Sequence, residues 1–421
     1  MINTEKYKFK KIVIVGLARS GLASANLLCD LGAQVRVTES SDSDSIRANA
    51  AQLESRGIKV ELGEHTGDFI KGNDLMVISP GVMPDAQPVL WARDLKIPVI
   101  SEIEIAADLC PAKIIAVTGS SGKTTVTTLI GKIIEASGRR GFICGNIGIP
   151  FCAEVAKMRQ GDYVSLEVSS FQLERTVKFK PDIALILNFA ENHLDRHKDM
   201  REYLDAKKRI FRNQGQDDFL VLNAEAPALK AAASEAKSKV VFFSTGGGLN
   251  SNQAAVMTVG SILGIDKEII LEVFRDFKGI EHRMEFVAEI NKVRFINDSK
   301  ATLADSTIWA LERIDSPVIL IAGGRHKGID YSLIKKTAEG KVKELIVIGE
   351  AKDNIRKDLE GFLRIEEAGS LKEAVEKAFS KASPGDCVLF SPMCSSFDMF
   401  SNYEERGMVF KESVHKLAGT N

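Results

Sequence analysis

A three-domain α/β fold with mainly parallel sheets is predicted for this chain by three observations. Short runs apolar on both faces alternate with amphipathic helical stretches almost throughout, the pattern of parallel strands covered by helices. The 421 residues suit two or three domains at roughly 150 residues each. Glycine-bearing loops at 16–21 and 119–122 each lie between a strand-like and a helix-like run, where open α/β sheets gather ligands.

Lys+Arg number 56 and Asp+Glu 57, for a net charge of −1, so nothing points to an electrostatic nucleic-acid binder. The chain is 44% hydrophobic and 27% charged, ordinary for a globular protein with a full core. The six cysteines form no C-x-x-C pair and no zinc spacing, which suggests a reducing compartment. The opening MINTEKYKFKKIVIVG holds one strand-length apolar run rather than a signal peptide. No stretch reaches the ~18 apolar residues of a spanning helix. A cytoplasmic protein without membrane partners, acting as a monomer, is expected.

KKIVIVG, VRVTES, LMVISPG and IPVIS mark the first domain, expected at 1–100. IIAVTGS, GFICGN, YVSLEVSS, DIALILNF, FLVLN and KVVFFS mark the second, at 101–280. VRFINDSK, VILIAGG, ELIVIG and CVLFSP mark the third, at 281–421. The stretch from Pro98 to Pro111 and the KGIEHRMEFV turn near residue 280 are the candidate linkers.

In the first domain, VIVGLARSGLAS (13–24) is nearly a dinucleotide fingerprint, with Ala18 in place of its middle glycine. Glu39 ends the next strand, where a ribose-binding acid often sits. The domain is therefore expected to be Rossmann-like. An NAD-dependent oxidoreductase is the competing hypothesis from this loop, but no nicotinamide chemistry appears downstream.

In the second, IIAVTGSSGKTTVTTLI (114–130) reads as a buried strand, a loop of small residues, and Lys-Thr-Thr opening a helix. That is the layout of a phosphate cradle, in which backbone N–H groups and a helix N-terminus face the anion. Gly119, Ser120, Ser121 and Gly122 form the loop; Lys123 would touch the β- and γ-phosphates; the Thr124 hydroxyl would bind magnesium; Thr125 follows. Val117 replaces the first glycine of the commoner phosphate loop. Glu167 lies in an otherwise apolar strand (166–174, LEVSSFQLE). Buried and unpaired, its charge would cost on the order of tens of kcal/mol in an ideal solvation estimate, a penalty a bound cation removes.

The T-G-x-x-G-K-T-T loop resembles that of the Mur ligase superfamily, the ATP-dependent amide ligases of peptidoglycan and folate metabolism. LEVSSFQLE and NFAENHLDRH (188–197) look like the branch that adds D-glutamate to UDP-N-acetylmuramoyl-L-alanine. The resemblance implies a P-loop ATPase-like central domain in which Glu167 and His193 hold magnesium near the γ-phosphate. It also implies a carbamylated lysine in DMREYLDAKKRIF (199–211), mapping to Lys207, able to help hold a second magnesium. Periodicity alone leaves Lys207 and Lys208 both open. Only a neutral amine attacks carbon dioxide, so burial and nearby cations would favour that lysine's modification. Lys123, His193 and Lys207 are then the expected catalytic residues.

The same resemblance turns the first loop toward the uridine diphosphate of the sugar substrate, through Arg19, Ser20, Ser40 and Gly81. Ser41 stands where some relatives have Arg, and Ser121 where many have Asn. Asn146 in GNIG matches a contact to the substrate's peptide-bearing end, which His193 also approaches.

The third domain, expected as a second Rossmann-like α/β unit, collects polar clusters at strand ends: EHRMEF, INDSKATL, AGGRHKG and SPMCSSFDMFSNYEERG. By resemblance, His282 and Arg283 face the nucleotide and Asp298 its ribose. Lys300, Lys327, Ser396 and Tyr403 grip D-glutamate, two lysines suiting two carboxylates. Tyr403 stands where relatives often have Phe. One departure is larger. Only TGGGLNS separates KVVFFS from the next helix, and the usual adenine-side H-N-x-x-N motif is reduced to Asn252. The expected activity is ATP-dependent addition of D-glutamate. The alternatives are a Mur-type ligase for another amino acid or a weakened nucleotide-binding relative.

Overall fold

The computed structural model describes residues 4–146, 148–190, 198–326 and 328–419. The chain divides into two compact units, Met1–Phe277 and Lys278–Asn421.

The first unit holds two sheets. One orders its strands Lys59–Leu62, Gln34–Glu39, Lys11–Val15, Leu75–Ile78 and Val99–Ser101, all parallel. The other orders Lys239–Phe243, Phe219–Asn223, Ile183–Ile186, Lys113–Thr118, Tyr163–Glu167 and Gly141–Gly145, again all parallel. Both put their β-to-α loops at the carboxyl ends of central strands, so the glycine loops at 16 and 119 each crown a sheet. One apolar core runs from Ile12, Ile14 and Leu28 through Ile103, Ile105 and Phe151 to Leu166 and Leu222, and so joins the two sheets. A second, on the far face of the central sheet, packs Val126, Ile130 and Ile133 of helix Lys123–Ala136 against Ala255, Val259 and Ile270.

Two carboxylates on the short helix Glu102–Leu109 finish that join. Glu104 accepts three successive backbone amides, from Val177 at 2.9 Å, Lys178 at 2.6 Å and Phe179 at 3.0 Å. Glu102 accepts one, from Cys152 at 2.6 Å, and its Oε2 is buried with no partner. Burial pushes its pKa up to about 7.

The second unit is one sheet in the order Glu285–Ile290, Val293–Asn297, Cys387–Phe390, Val318–Gly323, Val342–Ile348, Ile365–Glu367. The sheet is mainly parallel, as expected, with one antiparallel edge: Glu285–Ile290 runs antiparallel to Val293–Asn297. Asn291 and Lys292 make that reversal with φ of 51° and 65°, the paired positive values of a two-residue hairpin turn. Among the described residues no helix is long and apolar enough to cross a membrane.

Candidate functional site

The phosphate loop is held from outside by residues the motif does not contain. Ser120 N donates to Asn188 O at 3.3 Å and Ser121 N to Asn188 Oδ1 at 2.9 Å, while Asn188 Nδ2 returns a bond to Ser121 O at 3.1 Å. Ser120 Oγ and the backbone of Ala190 exchange two bonds of 3.0 Å. With these two amides engaged, the anion-facing groups concentrate at the start of helix Lys123–Ala136. Its N-cap, Gly122, supplies no side-chain cap. A helix start of this kind suits phosphate. Gly122 holds φ +78°, and a Cβ there would lie 2.5 Å from Asn252 Oδ1. Asn252 therefore reaches the loop even though the connection before it is short. That connection is tied down by Thr245, whose N donates to Glu225 Oε1 at 2.8 Å, and by the Asn250–Gln253 capping box.

Two lysines converge on one carbonyl. Lys123 Nζ donates to Gly119 O at 2.9 Å and to Ser120 O at 3.2 Å, and Lys207 Nζ donates to Gly119 O at 3.0 Å. Lys207 is 1% exposed, with its Nζ 4.2 Å from the centre of the Tyr203 ring. Burial first, and the Lys123 charge second, pull its pKa down to about 6. Lys208 is its opposite. Partial burial lowers it, but bonds to Asp205 and Glu235, both at 2.8 Å, outweigh that and raise its pKa. The helix thus separates two lysines that periodicity could not. Tyr203 lies four residues before Lys207, but Leu204 stands in the same relation to Lys208, so only the fold tells the two lysines apart.

Glu167 completes this end of the sheet. Its strand register pairs it with Val117, two residues before Gly119. It is 2% exposed; Oε1 accepts from Asn146 Nδ2 at 2.8 Å, and Oε2 is buried with no partner. An orphaned buried carboxylate oxygen beside a phosphate loop fits a magnesium ion, a hard cation that takes oxygen ligands. Thr124, 5% exposed on the first helical turn, is the second oxygen donor nearby in the chain. Among the described residues no three His, Cys, Asp or Glu side chains converge. His193 and Lys327 lie outside the described residues.

At the first sheet, Arg19 starts helix Arg19–Asp30 and donates to Gly148 O at 3.3 Å. Ser20 follows it on the first turn, and Ser40 and Gly81 are exposed beside the neighbouring strand ends. Glu39 is already committed: Oε2 accepts from Leu17 N at 2.8 Å and Oε1 from Ser41 N at 2.9 Å. Its carboxylate braces the glycine loop.

In the second unit Arg283 and Asp298 come together. Asp298, 4% exposed, accepts from Met284 N at 3.1 Å and Ser391 Oγ at 3.0 Å. Burial raises its pKa to about 7, against those bonds and the Arg283 charge. His282 turns inward, 3% exposed, with Nδ1 2.9 Å from Asn297 Nδ2. Gly407 leaves room for the ring, since a Cβ there would meet Nδ1 at 2.1 Å. Burial keeps the His282 pKa below the ordinary value despite Glu281 and Glu285. The nucleotide-facing role expected for His282 finds no support in this placement. Lys300 Nζ stands 5.7 Å from the Tyr403 ring centre, and Ser396 is 2% exposed.

Comparison with known proteins agrees across the chain. Residues 10–101 match the family description "Mur ligase MurD-like, N-terminal domain", 117–275 "Mur ligase middle domain", and 282–394 "Mur ligase, glutamate ligase domain". UDP-N-acetylmuramoylalanine–D-glutamate ligases are similar over nearly their full length. The one from Thermoanaerobacter pseudethanolicus is 38% identical, over 97% of this chain and 99% of the relative. The one from Geotalea uraniireducens is 41% identical, over 97% and 98%. Among solved structures, the UDP-N-acetylmuramate–alanine ligase of Thermotoga maritima shares the fold, with a TM-score of 0.61 at 19% identity, covering 98% of this chain and 100% of that one. The chain belongs to the Mur ligase family, among its UDP-N-acetylmuramoylalanine–D-glutamate ligases.

Proposed function

We infer that this protein is an ATP-dependent amide ligase that joins D-glutamate to UDP-N-acetylmuramoyl-L-alanine in peptidoglycan synthesis, working in the cytoplasm as a monomer on small-molecule substrates. The observation that carries the reading is the pairing at the phosphate loop of an orphaned carboxylate oxygen on Glu167 with a buried, proton-poor amine on Lys207. The family supplies the substrates.

The glycine loop of the first sheet, with Arg19, Ser20, Ser40 and Gly81, holds the uridine diphosphate. Asn146 orients the alanyl end. The loop Gly119–Gly122 and the amides of Lys123, Thr124 and Thr125 cradle the triphosphate. Thr124 and Glu167 would hold magnesium, with His193 and a modified Lys207 as further ligands. Bound there, the ion would neutralise charge on the β- and γ-phosphoryl oxygens. The Lys207 amine attacks carbon dioxide and releases a proton, leaving a carbamate anion. The Lys123 ammonium stabilises charge on the phosphoryl in transfer.

The alanyl carboxylate attacks the γ-phosphorus, ADP leaves, and an acyl phosphate forms. The amine of D-glutamate then attacks the acyl carbon; phosphate departs with the bonding pair, and the amine loses a proton. Lys300, Lys327, Ser396 and Tyr403 hold the amino acid, and Arg283 and Asp298 meet the nucleotide. An acyl phosphate hydrolyses in water, so positioning and water exclusion carry much of the work.

Phosphate release with ATP, the UDP-sugar substrate and a panel of D- and L-amino acids tests this. Turnover with D-glutamate is expected. Turnover with a different amino acid and none with D-glutamate would replace the substrate assignment.

A further inference from the structure

The second unit contains a fully buried cation that the proposed mechanism does not use. Arg406, on the helix Tyr403–Gly419, is 1% exposed. Its three nitrogens reach into two loops distant in sequence. Nε donates to Ser299 Oγ at 3.1 Å and Nη2 to Ser299 O at 2.8 Å. Nη1 donates to Cys394 O at 3.0 Å. Ser299 Oγ in turn donates to Tyr403 O at 2.8 Å, which closes the ring back onto the helix. A further bond, Met393 N to Ala301 O at 2.9 Å, runs between the same two loops.

Each of these loops carries a residue assigned to the amino acid: Lys300 follows Ser299, and Ser396 lies two beyond Cys394. Tyr403 opens the helix itself. A third loop joins them, since Arg325 N donates to Ser395 O at 2.9 Å, and His326 and Cys394 lie 3.1 Å from the two sides of the Tyr331 hydroxyl. These three acceptors are neutral, and the Asp398 carboxylate favours the charged guanidinium only through space. Burying a charge without a hydrogen-bonded carboxylate is costly. Burial lowers its pKa to about 10, so the guanidinium stays charged at neutral pH.

We propose that Arg406 is a positioning residue of the amino-acid site: its hydrogen bonds fix the Lys300 loop to the Ser396 loop and so set the spacing of the groups that grip the amino acid. The proposal rests on the assignment of Lys300, Ser396 and Tyr403 to that substrate. A planar fork with five donors can span two loops; the point charge of a lysine cannot.

The test is Arg406→Lys in the full chain, with each substrate varied in turn. The KM for D-glutamate should rise on the order of 10- to 100-fold, the scale of a misplacement near 1 Å. The KM values for ATP and the UDP-sugar should stay within about twofold. Acyl phosphate formed without amino acid, trapped by borohydride reduction, should match the unsubstituted protein. An unchanged KM for D-glutamate, or an equal rise in all three, overturns the proposal. Should Arg406→Lys fail to fold by circular dichroism, Ser299→Ala takes its place. A selective rise of about 3- to 10-fold is then expected, and no rise overturns the idea. If the unsubstituted protein turns over a different amino acid, the substrate reading fails, and the same selective rise is required for that amino acid.

Discussion

Lys207 in the first unit and Arg406 in the second are equally buried, each 1% exposed, yet they meet the cost of a buried cation in opposite ways. Lys207 sheds its charge: with a pKa pulled down to about 6, it is mostly a neutral amine at pH 7. Arg406 keeps its charge and distributes it over three hydrogen bonds to two loops. The difference follows from the side chains. An ammonium gives up a proton within reach of biological pH, and a guanidinium does not. A buried lysine is therefore a site for chemistry, whereas a buried arginine is a fixed strut.

The strongest test of this contrast removes the cation that helps depress Lys207. Lys123→Ala should lower phosphate release dependent on the sugar substrate by at least about 10³-fold, because it deletes the ammonium that would stabilise charge on the transferring phosphoryl. Retained turnover would break the assignment of the loop. Exchanging the two kinds of cation comes next. Lys207→Arg should be as inactive as Lys207→Ala, since neither offers a neutral amine, and short carboxylic acids should partly restore only the alanine variant. Intact-mass measurement should find added carbon dioxide at Lys207, and Lys208→Ala should keep activity within about twofold.

Stability should register the same difference. A lysine whose folded pKa lies below its unfolded 10.5 binds fewer protons folded than unfolded between pH 6 and 10.5. Its cost is full below about 6 and fades as pH rises, at up to about 1.4 kcal/mol per pH unit. In buffer free of carbon dioxide, Lys207→Met should flatten the rise of Tm across that window; an unchanged slope would mean the amine is not desolvated. Glu102 gives a smaller effect of the opposite sign. Its folded pKa of about 7 lies above the ordinary 4.5, so its cost is absent below 4.5, grows to about 7 and stays constant above. Glu102→Gln should stabilise the protein at pH 8 by about 1–2 kcal/mol and have little effect near pH 4.5. Equal Tm values at pH 8 would show that water reaches the carboxylate.

The two sites also differ in how far the sequence reveals them. The phosphate loop is local: strand, small residues, lysine and helix are contiguous from Ile114 to Ile130, and the parallel sheets follow from runs apolar on both faces. Asn188, which clamps the loop, lies 67 residues away from Ser121. Arg406 grips Ser299 from 107 residues away, and in SNYEERG it reads as an ordinary surface arginine. Only the fold brings such acceptors together. The antiparallel edge went unread for a different reason. Its turn residues, Asn291 and Lys292, adopt positive φ without the glycine that usually announces it.

Glu104 carries a consequence for substrate choice. By grasping the amides of Val177, Lys178 and Phe179 it welds the linker helix to the central sheet, and Arg19 adds a second tie through Gly148. On the function proposed above, the loops at Gly16 and Gly119 would act as the two jaws of a caliper. A sugar nucleotide anchored in the first jaw would then need an arm of matching length to lay its carboxylate against the phosphoryl in the second. Lengthening or shortening that arm by one residue should lower turnover with every amino acid tested.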